Sequence, residues 1–385
     1  MRIVLVHNYY KESGGEDQVF VNEKNLLIRN GHKVFTYERK NKLELNSLFS
    51  KVKIFFQVHY NRSSKKQFHN FIKLNKPDLV HVHNFFPLIT PSIYDACDEE
   101  GIPVVQTLHN FRLICPTSIL MHNGKIYRKS IEKGAYSTIV DKVYKKSYLG
   151  TYAVSRMIEF HKNNGTWENK VDKFIALTTF SKSIYVEAGF PKKKISIKPN
   201  FFQKKDKLQK NKRSGALYVG RISPEKGIKT LISAWQGINY PLKIVGDGPL
   251  ISEITSANNS SIKSIGALSQ NKVMEEMSRA SFLILPSLCY EGFPMVILES
   301  FANSLPVIAS DHGSISEIIT NNKNGLLFEP GDSIQLKKKV KWMFENPEAC
   351  MKMGMNAKIE YDTKYTPDNN YNKLIQIYNN TIQNK

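Results

Sequence analysis

Glu291 and Glu299 stand eight positions apart, bracketing Gly292-Phe293-Pro294-Met295-Val296. Ahead of them Ser281–Pro286 reads as a buried strand. Gly292 and Pro294 read as a turn into a helix, with proline at the first helical position, where no backbone N–H is missed. Glu291 then lies in the loop, and Glu299 about five residues into the helix, roughly 7 Å along its axis. The free N–H groups of the first turn, near Met295 and Val296, form a natural seat for phosphate. Two carboxylates flanking such a seat suit a ligand with hydroxyls on both sides of its phosphates. A nucleotide sugar is one.

Other loops carry compatible chemistry. In Val219-Gly220-Arg221-Ile222-Ser223-Pro224-Glu225-Lys226-Gly227, two cations follow a strand, where they can grip phosphates and offset charge on a departing diphosphate. Gly246-Asp247-Gly248-Pro249 is sound strand-to-helix turn chemistry. Gly14 and Gly15 open the first helix and allow close backbone approach to a ligand. They are no dinucleotide fingerprint, since Gly-x-Gly-x-x-Gly is missing and Glu16 and Asp17 would repel a pyrophosphate. His109, at a strand's carboxyl end, could orient or polarise a reacting hydroxyl. His81 and His83 share one face of a strand, but no further metal ligand is evident beside them. Asp98-Glu99-Glu100 reads as a solvated helix end.

These residues need strands and helices to hold them. Short apolar runs alternate with helical patterns, as in repeated βαβ units. The first half offers strands at Ile3–Val6, Lys33–Tyr37, Leu79–His83, Val104–Leu108 and Phe174–Leu177. The second offers Ala216–Val219, Leu242–Val245, Ser261–Ile265, Phe282–Leu285, Val307–Ala309 and Leu326–Phe328. Two doubly wound sheets are expected. The domains are read as 1–200 and 215–366, joined by a charged linker, 201–214. A last helix within 367–385 is expected to cross back to the first domain. The first helix should end at Asn30-Gly31.

At 385 residues, two domains each have room for a core. The apolar start Ile3–Val6 is too short for a secretory signal, and no segment approaches a membrane span. The four cysteines are scattered, as expected of reduced thiols. The net charge of +21 is uneven: residues 1–200 carry 32 Lys/Arg against 17 Asp/Glu. Such an excess points to a polyanionic partner or surface.

Taken in order, these motifs resemble those of the large retaining glycosyltransferase family 4. The match includes Gly14-Gly15, Thr107–Pro116, Thr179–Lys182, Lys198-Pro199-Asn200 and Gly220-Arg221 with Lys226. It continues through Gly246–Pro249, Pro286-Ser287, the Glu291/Glu299 pair and Leu305–Asp311. The chain departs from the family at Asn303-Ser304, often Cys-Gly, and at Gly313-Ser314, usually Gly-Gly. The resemblance implies a GT-B fold, in which two doubly wound Rossmann-like domains face each other across a cleft. It implies catalytic roles for His109 and Glu291, with Glu291 on the donor sugar's hydroxyls and Glu299 on the ribose. Arg221 and Lys226 would hold the diphosphate with the Met295 and Val296 N–H groups. Gly14, Gly15, Ile265 and Phe293 complete the donor-binding set, with the Ile265 loop against the base and Gly15 permitting domain closure.

The implied reaction is transfer of a hexose-type sugar, with retention, from a nucleoside diphosphate, UDP being the expected carrier. No Asp-x-Asp motif is present, so no metal or other cofactor is expected. Cations interleave with aromatics at Phe55-Phe56, Tyr60, Arg62, Lys65, Lys66 and Lys142–Tyr148. That mixture suits an anionic membrane surface. The expected enzyme is cytoplasmic and peripheral on the inner face of the membrane, elongating a lipid-linked saccharide for capsule, O-antigen or similar glycan. Two other readings are a soluble glycosyltransferase acting on small acceptors and a basic nucleic-acid-binding protein. The latter leaves the paired glutamates without a task, and no nucleic acid is expected as partner.

Overall fold

The computed structural model describes residues 1–11, 14–41, 55–204 and 213–385. Of the expected linker, 205–212 lie outside the described residues. The chain forms two compact units. One comprises Met1–His122, Tyr127–Asn200 and Asn370–Lys385, the other Asn123–Ile126 and Phe201–Asn369. Phe201 and Phe202, read from sequence as linker, are buried at 2% and 4% exposure. The charged neighbours obscured that anchoring.

The first unit holds a six-stranded sheet, in order Lys33–Lys40, Arg2–Tyr9, Leu79–Val82, Val104–Leu108, Lys173–Ala176 and Ile195–Ile197. All pairings are parallel. Strands covered on both faces need apolar side chains throughout, which is why Leu79–Val82 and Val104–Leu108 are buried at every position. Ile195–Ile197 escaped the sequence reading because three residues behind Lys192–Lys194 carry almost no periodic signal. The helix Gly15–Arg29 ends at Asn30 as its Asn-Gly sequence predicts. The last helix, Pro367–Gln383, contributes Leu374, Ile377 and Tyr378 to a cluster with Ile3, Leu5, Phe20 and Val105.

The second unit holds another parallel sheet, in order Ile262–Ser264, Leu242–Val245, Ala216–Val219, Phe282–Leu285, Val307–Ser310 and Gly325–Phe328. Its core gathers Trp235, Tyr218, Ile228, Leu231, Phe282 and Val340. The strand order is the dinucleotide-fold pattern, whereas the first unit follows the flavodoxin-like variant. In both, the order reverses beside the unit's first strand, and loops at the carboxyl ends of the flanking strands form a crevice. In the second unit these loops are Gly220–Gly227 and Pro286–Pro294. In the first they follow Tyr9 and His83.

Candidate functional site

In the second unit, Gly227 locks the cationic loop in place. Its φ of 72° is left-handed, and an added Cβ would meet the Pro286 carbonyl oxygen at 1.8 Å. The Leu288 N–H donates to the Glu225 carbonyl at 2.8 Å, tying the two crevice loops together. Gly246 similarly lies against Gly220, where a Cβ would meet the carbonyl oxygen at 1.9 Å. The Gly246–Pro249 turn therefore braces the Arg221 loop.

This bracing brings Lys226 Nζ to 2.6 Å from Glu291 Oε1. Ser287 Oγ donates to the same oxygen at 2.6 Å, so Oε2 remains available to a hydroxyl. Burial opposes ionisation of Glu291, but Lys226 and Ser287 overcome it and hold the carboxyl below its ordinary range. Burial also opposes the Lys226 charge, and Glu291 outweighs it, raising the ammonium above its ordinary range. At neutral pH the pair is carboxylate and ammonium.

The helix after this loop spans Met295–Ala302, with extended Pro294 as its N-cap. Proline thus sits one position earlier than expected. It offers no side-chain cap, and the Ile297 N–H turns back to the Pro294 carbonyl at 3.0 Å. The Met295 and Val296 N–H groups, both in the first turn, have no intrahelical acceptor. Glu299 accepts from Gln270 Nε2 at 3.2 Å, and burial pushes its carboxyl up to about 7. Arg221 is exposed on the loop it shares with Lys226. Ile265 follows the strand Ile262–Ser264, and the Gly266 carbonyl accepts from the Gly246 N–H at 2.9 Å. The Phe293 ring is buried and lies 6.1 Å from the Tyr365 ring, so only its backbone is left to serve a ligand.

In the first unit, Gly14 is the N-cap of Gly15–Arg29 in an extended conformation, and nothing lies within 4 Å of where its Cβ would be. The fold does not require glycine there. The acids at this helix start are already engaged. Asp17 accepts from the Gly14 N–H at 3.1 Å and pairs with His7 at 2.7 Å. Glu16 accepts from Asn84 at 3.1 Å and from Asn110 at 3.0 Å, and burial beside Asp17 pushes it up to about 7. Sequence spacing gave no hint that Asn84 and Asn110, at two different strand ends, converge on Glu16.

His109 is half-buried at the end of Val104–Leu108, its Nε2 3.0 Å from His83 Nδ1. Burial, with His7 and Lys198 nearby, pulls its pKa down to about 3, so the ring is neutral. A third donor does join the histidine pair: Glu23, His81 and His83 have ligand-type atoms within 4.8 Å of one another. This set does not suit a metal. Lys198 Nζ holds Glu23 Oε1 at 2.9 Å, and His81 already bonds Tyr378 and Thr107 through its two nitrogens.

Two family models match in succession: Glycosyltransferase Family 4 over residues 13–203 and Glycosyl transferases group 1 over 200–360. An uncharacterized glycosyltransferase of Methanocaldococcus jannaschii is 28% identical over 318 residues, covering 81% of this chain and 86% of its own. A putative teichuronic acid biosynthesis glycosyltransferase of Bacillus subtilis is 25% identical over 307 residues, 73% and 69% of the two chains. Among solved structures, sucrose-phosphate synthase of Thermosynechococcus elongatus has a TM-score of 0.73 at 16% identity over 100% of both chains. Anabaena HepE in complex with UDP has a TM-score of 0.65 at 17% identity, over 98% and 99%.

Two parallel α/β units with this full-length likeness define a GT-B fold. The chain belongs to the group 1 glycosyltransferases, family 4, and the protein is a transferase enzyme.

Proposed function

We propose that the enzyme moves a hexose-type sugar from a nucleoside diphosphate, UDP being the expected carrier, to a lipid-linked saccharide during surface-polysaccharide synthesis, with retention at the anomeric carbon. The observation that carries the donor reading is the Lys226–Glu291–Ser287 constellation beside the Met295 and Val296 N–H groups, at the switch point of the second sheet. Lys226, Arg221 and the two amides offset charge accumulating on the departing diphosphate. Glu291 Oε2 accepts from a sugar hydroxyl, and Glu299 from the ribose. With these groups neutralising the diphosphate, no divalent cation is required. UDP complexes of HepE and the biosynthetic name of the Bacillus relative agree with this reading.

A panel of UDP, GDP and ADP sugars tests it by thermal shift and hydrolysis. One carrier should stabilise the protein, Lys226→Ala should remove that stabilisation, and excess chelator should leave turnover intact. Stabilisation by none of the carriers overturns the donor reading; loss of turnover in chelator overturns the metal-free one.

The membrane reading draws on a surface of the first unit. Val140 and Leu149 are each 68% exposed, beside Tyr148, whose ring centroid lies 4.3 Å from Lys142 Nζ. Lys145 and Lys146 flank them in sequence, and Phe56, Tyr136 and Tyr152 are also exposed. Part of the surface expected from sequence is engaged elsewhere, since Lys65 pairs with Glu99, and Tyr60 donates to Asp95 at 2.7 Å. No helix among the described residues is long and apolar enough to cross a membrane. Co-sedimentation with anionic vesicles at low salt is the expected outcome, weakened by Leu149→Asp. Equal binding to neutral vesicles, or none to either, removes the membrane placement.

A further inference from the structure

His109 has two ring nitrogens, and with Nε2 turned to His83 only the tautomer protonated there leaves Nδ1 able to accept from a ligand's hydroxyl. The buried groups behind it decide which. Lys198, 1% exposed, and Glu23, fully buried, form an ion pair at 2.9 Å. The other carboxylate oxygen of Glu23 lies 3.5 Å from His83 Nε2. His83 is buried, and burial, with His81, His109, His7 and Lys198 around it, lowers its pKa well below the ordinary value. It therefore carries one proton. Among the described residues no hydrogen bond engages His83 Nε2, but a lone pair 3.5 Å from a carboxylate is repelled and an N–H attracted, so the proton sits on Nε2.

Nδ1 of His83 is then bare, and His109 Nε2, 3.0 Å away, must be the donor. His109 is neutral too, so its Nδ1 has no proton. Among the described residues nothing bonds that nitrogen. The rings lie 5.2 Å apart and 22° from parallel, and His109 is the partly exposed member at the crevice.

We infer that Glu23 and His83 are positioning residues that fix His109 as a hydrogen-bond acceptor toward substrate, its bare Nδ1 presented to a substrate hydroxyl. Resting on the glycosyltransferase reading, this makes His109 a group that orients a hydroxyl without keeping its proton. Lys198, paired with Glu23 Oε1 at 2.9 Å, holds the distal end of the chain in place. His81 stands outside the chain, its nitrogens already bonded to Tyr378 and Thr107.

Long-range 1H–15N correlation spectra of the histidine-labelled, unmodified protein test the chain directly, with His109→Asn assigning the resonances. The expected result is a pyridine-type Nδ1 and pyrrole-type Nε2 for His109. The opposite tautomer, or an imidazolium, overturns the inference. Variants give a second readout. In His83→Asn the amide oxygen takes the place of Nδ1 and can still accept from His109, whereas His83→Leu cannot. Turnover should fall about tenfold, one hydrogen bond's worth, in His83→Leu and recover in His83→Asn, with the donor KM unchanged in both. Equal turnover in the two variants overturns the positioning role. The spectra need no substrate, so a failed donor panel would refute the functional reading without touching the tautomers.

Discussion

Two carboxyls are pushed up to about 7, Glu16 in the first unit and Glu299 in the second. Burial is the leading cause at both. In the ribose-binding role proposed for Glu299 this matters, because a diol donates well to a carboxylate and poorly to a carboxylic acid. Nucleotide affinity should therefore rise with pH through about 7, and Glu299→Gln should flatten that rise. Titration calorimetry of UDP between pH 6 and 8 gives the answer; parallel profiles for both proteins would show that Glu299 does not touch the nucleotide. The effect on stability has the opposite direction. A carboxyl that binds its proton more tightly when folded loses stability as pH rises from the ordinary carboxyl range to about 7. Glu291 shows the reverse, since its depressed pKa makes its contribution present above the unfolded value and lost on acidification.

Loops carry the next scale of behaviour, and two glycines separate fold from ligand. Gly227 is required by the chain itself, with left-handed φ and Pro286 against its missing Cβ. Gly227→Ala should strain the backbone and force the loops apart, costing about 2–4 kcal/mol and scattering Lys226 from Glu291. Gly14 has an ordinary φ of −122° and open space around it. Gly14→Ala should leave the melting temperature unchanged while raising the donor KM, if a ligand approaches that backbone. Thermal melts paired with kinetics decide this; a Gly14→Ala protein with wild-type kinetics would remove it from the binding set. Only half of this contrast is legible in the sequence, which shows both glycines in turns but neither the neighbour nor the φ.

For the whole molecule, charge and burial are distributed unequally. Burial lowers the pKa of His32, His59, His81, His83, His109 and His161, all in the first unit, while His312 is the only such histidine in the second among the described residues. A histidine kept neutral by folding takes up its proton on unfolding. Stability is therefore lost as pH falls below the unfolded value of about 6.5, by about 1.4 kcal/mol per pH unit for each fully buried ring. The first unit should melt ahead of the second on acidification from pH 6.5 to 4. Calorimetry should resolve two transitions that separate as pH drops, and a constant gap between them would contradict the assignment.

Apolar runs such as Leu79–Val82 and Phe282–Leu285 made the strands legible, because burial on both faces of a parallel sheet demands unbroken hydrophobic sequence. The order of loops bearing Arg221, Lys226, Glu291 and Glu299 was legible for the same local reason, since turn chemistry and helix starts are written within a few residues. Tertiary structure alone decided the partners and their protonation. Lys226 meets Glu291 across 65 residues of sequence, His83 meets His109 across 26, and Glu16 meets Asn110 across 94. Those pairings depend on which strand ends the sheet order brings together. The charge each group carries depends on how much water that packing removes, and no spacing rule records either.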